Sequence, residues 1–300
     1  MKFDAVLIAG PTASGKSQAA LELARTIGGI VINADSMQVY REVRILSARP
    51  SDADMAAVPH ALYGHVSVNE TYSVGRYEAD AIATLAEARR KGQVPIFTGG
   101  TGLYFAALTE GLSNIPPVPA PVREAARARL DEIGVAALHA ELAVRDPETA
   151  AGLRPSDPQR VLRAYEVWET THRPLLHWQR ESGKPVLDGL RLQKFVLDVP
   201  RPELRERIET RFRQMVAEGG REEALRLAAL DPALPAAKIL GAAELASDLP
   251  DEEALNLAVI ATRQFAKRQN TWFRNRMTDW EWLDASDLSN IIAQMTKIIA

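Results

Sequence analysis

The sequence predicts an α/β protein with a P-loop NTPase-like parallel sheet as its core and an all-helical domain inserted into that core. Short apolar segments such as 5–9 and 30–34 alternate with segments of helical periodicity over the first part of the chain. This alternation is typical of a parallel sheet covered by helices. A phosphate-binding motif between the first predicted strand and helix specifies the type of core.

A proline-rich segment at 115–121 ends the alternation, because so many prolines exclude a helix interior. Only helical stretches follow, until a predicted strand returns at 194–199. We therefore expect the core to comprise residues 1–114 and 191–300, and the helical insertion to comprise residues 115–190. The second part of the core ends with a basic helix and a short closing helix.

Composition indicates a cytoplasmic globular protein. Of the 300 residues, 46% are hydrophobic and 25% are charged, which is enough to bury a full core. The chain has no cysteine, which excludes disulfides, thiolate zinc sites and cysteine nucleophiles and fits a reducing compartment. We find no signal-type segment and no apolar run that could span a bilayer, so we expect no membrane partner. We also expect a monomer.

Charge and histidine content narrow the function classes further. The net charge of −3 argues against a uniformly basic nucleic-acid binder, although a local basic face stays compatible with it. The five histidines are scattered without metal-ligand spacing, so we interpret them as structural or surface residues.

The segment after the first predicted strand matches Gly-x4-Gly-Lys-Ser/Thr. In such a loop, successive backbone N–H groups and the following helix N-terminus point at one anion, and a lysine adds a full charge. We expect Ser17 to be a ligand of Mg²⁺. The loop predicts a diphosphate group, of which ATP is the commonest carrier. It comprises Gly10, Pro11, Thr12, Ala13, Ser14, Gly15, Lys16 and Ser17.

Two further polar segments follow predicted strands. Asp35 and Ser36 come directly after the second strand, and Thr101 lies in the glycine-rich segment 98–102 after a later strand. In open parallel sheets, ligands bind outside the carboxyl ends of the strands, so Asp35 is expected to face the same crevice as Lys16. Position alone leaves a second interpretation open, in which Asp35 only caps the next structural element.

Two predicted helices of the second core part carry arginines. The helix from Pro202 has Arg207 and Arg211 on one face, beside glutamates that make a salt-bridged surface helix the competing interpretation. In the helix over 255–276, a basic face contrasts with a face containing Phe265 and Trp272, which we expect in the core. Because 263–276 contains no acidic residue, we favour polyanion binding for that face. The face comprises Arg263, Lys267, Asn270 and Arg274.

Together these motifs resemble the tRNA dimethylallyltransferase (IPP transferase) family over nearly the whole chain. The resemblance rests on the loop 10–17, Asp35-Ser36 with Gln38-Val39-Tyr40, Gly99-Gly100-Thr101 with Leu103-Tyr104, Asp157-Pro158-Gln159-Arg160 with Arg163-Ala164, Arg211-Phe212 with Met215, and Ala266-Lys267-Arg268-Gln269 with Thr271-Trp272. The chain departs from the family pattern at Ser17, at Ala48-Arg49-Pro50 and at Ile239-Leu240-Gly241-Ala242.

The resemblance implies transfer of a dimethylallyl group from dimethylallyl diphosphate to the exocyclic amine of the adenosine 3′ of the anticodon. It implies Asp35 as general base and Thr101 and Gln38 as groups that hold the adenine. It also implies that Arg211 clamps the diphosphate and that Ser17 is a ligand of Mg²⁺. It also implies that the insertion contacts the anticodon stem-loop of tRNA. The residues expected at tRNA are Asp35, Ser36, Met37, Gln38, Thr101, Arg123, Gln159, Arg160, Val161, Leu162, Arg163, Lys267, Arg268 and Arg274.

Three other functions are compatible with the phosphate loop. A small-molecule kinase uses such a loop for ATP, but that function does not explain the basic helix. A prenyltransferase acting on free adenine nucleotide would carry out the same prenyl transfer without an RNA substrate. An RNA-binding switch uses the nucleotide only to change shape.

Overall fold

A computed structural model describes residues 2–181 and 183–299. Its sheet has six parallel strands in the order β3-β2-β4-β1-β5-β6. This confirms the predicted parallel α/β core. The strands are β1 (Ala5–Ala9), β2 (Gly29–Asn33), β3 (His60–Ala61), β4 (Val94–Gly99), β5 (Leu192–Asp198) and β6 (Glu281–Asp284).

Helices connect and cover the strands, and a 3-10 helix spans Pro235–Lys238. The α-helices are α1 (Lys16–Ile27), α2 (Asp52–Ala57), α3 (Val74–Arg90), α4 (Gly102–Thr109), α5 (Ala120–Arg145), α6 (Pro147–Ala151), α7 (Pro158–Thr171), α8 (Leu175–Arg180), α9 (Arg201–Ala217), α10 (Gly220–Ala228), α11 (Ala242–Leu245), α12 (Asp251–Arg276) and α13 (Leu288–Ile299).

The chain forms two compact units. One comprises residues up to 108 and from 186 onward, and the other comprises 109–185. The boundaries expected from sequence, 115 and 190, lie a few residues further along. Within the second unit, its first and last residues lie side by side, since the Gly183 N–H donates to the Leu112 carbonyl at 2.8 Å. Gly111 has a φ of +82°, and a Cβ there would meet the Gly183 carbonyl oxygen at 2.1 Å, so only glycine fits at position 111.

The core of the first unit lies between the sheet and its helices. Every residue of β1, β2 and β4 is buried. Helix α3 buries Tyr77, Ala81, Leu85 and Ala88, which is the stripe that its periodicity predicts. Helix α9 likewise buries its predicted stripe of Leu204, Ile208, Phe212 and Met215.

The helical unit has its own core, in which α5 packs against α7. Gly134 interrupts α5 with a φ of +79°, so the helix consists of two segments. Leu138 and Leu142 from the second segment pack with Val161 of α7, and all three are fully buried. Across 2–181 and 183–299, no helix is both long and apolar enough to cross a bilayer.

Candidate active site

A cavity of about 310 Å³ opens at the carboxyl edge of the sheet. The strand register places this edge, because Ala9 of β1 pairs with Gly99 of β4, and Asn33 of β2 pairs with Thr98. The loops that follow β1, β2 and β4 therefore leave the sheet side by side. The cavity is lined by Thr12, Ala13, Ser14, Gly15, Lys16, Ser17, Gln18, Asp35, Met37, Gln38, Leu46, Ser47, Ala48, Arg211, Ile239, Leu240 and Phe265.

The loop between β1 and α1 has the tight curvature that its glycines predict. Gly15 has a φ of +85° at the N-cap of α1, a conformation that favours glycine. A Cβ at Gly10 would meet the Ser14 hydroxyl oxygen at 2.6 Å. That hydroxyl is buried and has no partner within the described residues. The loop therefore curls around a space bordered by backbone N–H groups at a helix N-terminus, which is suited to an anion.

Lys16 is the cation of this loop and is only 8% exposed. Its ammonium donates a hydrogen bond to the Pro11 carbonyl at 3.2 Å, which holds the side chain over the loop. Burial lowers its pKa to about 8, the Asp35 carboxylate opposes this shift, and the Arg211 guanidinium adds to it. The cavity thus concentrates positive charge that an incoming anion would stabilise.

Asp35 faces the same cavity as Lys16, as expected from its place after β2. Its Oδ1 accepts a hydrogen bond from the Met37 N–H at 3.0 Å, so one oxygen stabilises the local turn. Its Oδ2 has no hydrogen-bond partner among the described residues. The turn therefore accounts for one carboxylate oxygen and leaves the other available to a ligand, and a catalytic role for Asp35 stays a prediction.

Thr101 and Ser36 join the loops after β4 and β2. The Ser36 N–H donates to the Thr101 hydroxyl at 2.9 Å, and that hydroxyl donates to the Ser36 hydroxyl at 3.2 Å. The Gln38 side-chain amide donates to the carbonyls of Ser47 and Ala48 at 3.0 and 2.9 Å. Its nitrogen is thus engaged within its own loop, which leaves Oε1 as the side-chain atom available to a ligand.

Gln269 of α12 is a site residue that the sequence analysis did not single out. Its Oε1 accepts from the Thr12 N–H at 3.0 Å, and its amide donates to the Gly100 carbonyl at 2.9 Å. The side chain is 6% exposed and connects the two glycine-rich loops. Its place in the family motif 266–269 was the sequence feature that could have indicated a role at the site.

Each of the three glycines in the segment 99–102 is required by a close protein neighbour. A Cβ at Gly99 would meet the Ala34 carbonyl oxygen at 2.0 Å, and one at Gly100 would meet the Gln269 amide at 2.2 Å. A Cβ at Gly102 would meet the Trp272 ring at 2.4 Å. The missing side chains therefore let β2 and α12 approach this loop.

The two arginines of α9 that the sequence placed on one face have different roles. Arg207 pairs with Glu203 and donates to the carbonyls of Ala285 and Ser286, as in a salt-bridged surface helix. Arg211 lines the cavity, and its guanidinium donates to the Thr12 hydroxyl at 3.4 Å. Burial lowers its pKa while Asp35 raises it, and a guanidinium stays protonated regardless. Arg211 is thus the second cation of the site.

Phe265 is not a core residue, contrary to expectation. It is half-buried and lines the cavity, where it forms an apolar wall with Leu46, Ile239 and Leu240. Trp272 packs against the core over Gly102, as predicted. A one-dimensional pattern gives the face of a helix, but a cavity below that face is visible only in the fold.

The basic face of α12 is partly neutralised by other elements. Arg263 pairs with Glu209 of α9 at 3.2 Å, and Arg274 pairs with Asp198 of β5 at 2.9 Å. These acids are distant in sequence, so the acid-free stretch 263–276 could not reveal them. Lys267 and Arg268 are exposed, and the Arg268 guanidinium lies 5.7 Å from the Phe265 ring centroid.

In the helical unit, four of the residues expected at tRNA are exposed and two are not. Val161 is 0% and Leu162 is 8% exposed, and both belong to the hydrophobic core of the unit. Their side chains cannot contact an external RNA, which corrects those two expectations. The exposed residues are Arg123, Gln159, Arg160 and Arg163.

The donor set at the loop suits Mg²⁺ bound together with phosphates. Within the described residues, no group of three or more histidine, aspartate or glutamate side chains could hold a metal by itself. Mg²⁺ commonly takes one or two protein oxygens and completes its shell with phosphate oxygens and waters. Ser17 is exposed at the cavity and offers one such hydroxyl.

Fold and cavity together define a class: an α/β protein with a P-loop at the carboxyl edge of a parallel sheet. Comparison with known proteins specifies the family. The sequence matches the family model described as IPP transferase over residues 38–276. The chain belongs to the IPP transferase family, which confirms the resemblance found in its motifs.

Curated relatives match over most of their length. A tRNA dimethylallyltransferase from Bradyrhizobium sp. strain BTAi1 is 54% identical over 93% of each chain. One from Agrobacterium fabrum is 50% identical over 93% of this chain and 96% of that protein.

Solved structures agree with the fold. The tRNA isopentenylpyrophosphate transferase of Bacillus halodurans has a TM-score of 0.69 at 32% identity, covering 99% of this chain and 96% of that one. A eukaryotic dimethylallyltransferase acting on tRNA has a TM-score of 0.78 at 26% identity, covering 95% and 74%.

Proposed function

We propose that this protein transfers a dimethylallyl group from dimethylallyl diphosphate to the exocyclic amine of the adenosine 3′ of the anticodon in tRNA. The observation that carries the proposal is that Lys16, Arg211 and Asp35 line one cavity. Two cations beside a P-loop suit a departing diphosphate, and a carboxylate opposite them suits an amine that must lose a proton.

The reaction forms a bond between the adenine nitrogen and the allylic carbon and breaks the bond from that carbon to diphosphate oxygen. Negative charge builds on the leaving group, where the loop N–H groups, Lys16 and Arg211 stabilise it. Mg²⁺, held by Ser17 and the diphosphate oxygens, would neutralise further charge on that group. The amine proton passes to the free Oδ2 of Asp35.

The wall of Leu46, Ile239, Leu240 and Phe265 supplies what an allylic group needs. These side chains exclude water from a carbon that gains positive charge, and an aromatic ring attracts a nearby cation. The Gln38 side chain lines the cavity and holds the adenine through its Oε1. The Thr101 hydroxyl is engaged with Ser36, so Thr101 positions the loop that carries Asp35. A purely polar cavity would suit phosphoryl transfer better, so this wall favours prenyl transfer over a kinase activity.

The tRNA partner is supported by exposed cations on both units. Met37 lines the cavity next to Ser36 in the chain, and Lys267, Arg268 and Arg274 lie on α12. In the helical unit, the first turn of α7 presents Gln159 and Arg160. Phosphates of an anticodon stem-loop would bind such side chains, and the target base must leave its stack to reach the cavity.

The test compares products. We expect the protein, given Mg²⁺, dimethylallyl diphosphate and unmodified anticodon stem-loop RNA, to add one dimethylallyl mass to a single adenosine. The same incubation with AMP should give no product, and ATP with hydroxyl compounds should give no phosphoryl transfer. Turnover on AMP alone, phosphoryl transfer alone or the absence of any covalent product would each contradict the proposal.

A further inference from the structure

A second cavity of about 310 Å³ lies between α9 and α12 and is strongly basic. We call it the α9–α12 groove. Five of its lining residues are cationic and none is acidic. The lining residues are Arg201, Leu204, Arg205, Ile208, Arg263, Gln264, Ala266, Lys267, Asn270, Thr271 and Arg274.

Three of these five cations have no ion-pair partner within the described part of the chain. They are Arg201 and Arg205 on α9 and Lys267 on α12, all exposed. Arg263 and Arg274 are held by Glu209 and Asp198. The groove therefore keeps a surplus of positive charge on both of its sides, since solvated arginines at i and i+4 on α9 face the basic row of α12.

The wall of the groove also contains polar atoms that are unsatisfied. Arg263 Nε and Asn270 Oδ1 are buried and have no hydrogen-bond partner within the described residues. A buried donor or acceptor without a partner costs free energy, so such atoms indicate a missing ligand or water.

The groove is continuous with the candidate active site through both helices. Arg211, six residues after Arg205 on α9, is about 9 Å further along the helix axis and lines the reaction cavity. On α12, Gln269 holds the phosphate loop while its neighbours Lys267 and Asn270 line the groove. From Arg263 to Arg274 the groove runs for about 16 Å, which is longer than a single small anion requires.

From this juxtaposition we propose that the α9–α12 groove binds the phosphodiester backbone of the substrate RNA next to the nucleotide whose base enters the cavity. Arg201 and Arg205 form the α9 side of this groove and contact phosphates, and Lys267 contacts phosphates from the α12 side. The proposal rests on the proposed function and adds to it Arg201 and Arg205 of α9, two positioning residues that no sequence motif had implicated.

The experiment compares two double variants with the same loss of charge. Arg201→Gln/Arg205→Gln removes the two positive charges on the α9 side of the groove. Arg25→Gln/Arg89→Gln is the control, because these exposed residues end α1 and α3 at the opposite edge of the sheet. For each protein, the Kd for unmodified anticodon stem-loop RNA is measured from 50 to 300 mM KCl, together with the Kd for inorganic diphosphate.

We expect the slope of log Kd against log salt to fall by about 1.4 to 1.8 for the α9 variant, which is about 0.7 to 0.9 per lost phosphate contact. KM for the RNA should rise while kcat and the Kd for diphosphate stay unchanged. The control should keep the wild-type slope, and urea unfolding should show that both variants fold.

An unchanged slope in the α9 variant, or an equal fall in the control, would overturn the proposal. The proposal would also be overturned if inorganic phosphate bound in the groove without changing the Kd for RNA, since the groove would then be a small-anion site. Failure of the proposed function is a separate result, because in that case the wild-type protein itself would leave the RNA without a dimethylallyl group.

Discussion

Lys16, Asp35 and Arg211 show how burial adjusts single residues for one task. Lys16 and Arg211 are brought together against their mutual repulsion, and burial disfavours the charge on both. Asp35 offsets part of this cost. The site is therefore electrostatically strained until an anion arrives, and that strain is a source of affinity for diphosphate.

The division of labour between the oxygens of Asp35 gives a sharp prediction. In Asp35→Asn, Oδ1 can still accept the hydrogen bond from the Met37 N–H, so the turn is kept, but the residue no longer accepts a proton. We expect kcat to fall by about 10²- to 10⁴-fold with little change in tRNA affinity. Single-turnover prenylation and RNA binding measure the two effects. A wild-type kcat in Asp35→Asn would mean that Asp35 only stabilises the local turn.

Diphosphate affinity should depend on the titration of Lys16. Its folded pKa of about 8 lies below the ordinary 10.5, so the contribution of Lys16 to affinity should be constant well below pH 8 and weaken above it, as the ammonium loses its proton. Without ligand, the same depression makes the folded state gain stability as pH rises from about 8 to 10.5.

Calorimetry of diphosphate binding at several pH values, in buffers of different ionisation enthalpy, measures the linked proton uptake. Lys16→Arg is the matched control, because arginine stays charged throughout this range. Its pH profile should contain only the titration of the diphosphate. Identical profiles for wild type and Lys16→Arg would contradict the assignment.

Helix α12 organises the site at the scale of elements. It contributes Gln269 to both glycine-rich loops, Trp272 to the surface above Gly102, and Phe265 to the cavity wall. The helix fits this closely only because the segment 99–102 lacks side chains. The precise position of the phosphate loop therefore depends on a helix that lies more than 200 residues later in the sequence.

Gly102→Ala tests this packing. The new methyl would meet the Trp272 ring at 2.4 Å, so we expect a loss of about 1–3 kcal/mol in the free energy of unfolding. Gly75→Ala is the control, since its Cβ has no neighbour closer than 4.0 Å and it lies in α3. That variant should be neutral or gain up to about 1 kcal/mol. Urea denaturation of both variants gives the comparison, and equal midpoints would contradict the packing argument.

The whole molecule combines a compact α/β unit that holds the reaction cavity with a helical unit that has its own core. All residues of the proposed chemistry lie in the first unit. The second unit offers exposed cations and no part of the cavity, so its expected contribution is tRNA affinity alone.

Arg160→Gln separates these contributions. Arg160 is 74% exposed and pairs with Asp157 at 3.6 Å, so we expect a several-fold weaker Kd for full-length tRNA with no change in diphosphate affinity or in kcat. Arg180→Gln is the control within the same unit, because Arg180 is likewise exposed and ion-paired, with Glu148, but lies on α8. Filter binding against tRNA measures both variants. Equal effects of the two changes would mean that the first turn of α7 has no specific contact.

Local patterns in the sequence determined the parallel core, the phosphate loop, the place of Asp35 after β2 and the buried stripes of α3 and α9, since each depends on neighbours within a few residues. Tertiary structure decided the rest. Gln269 at the loop, the acids that hold Arg263 and Arg274, the burial of Val161 and the exposure of Phe265 to the cavity all depend on contacts between distant segments. A linear pattern gives the face on which a residue lies, but only folding brings a second element against that face.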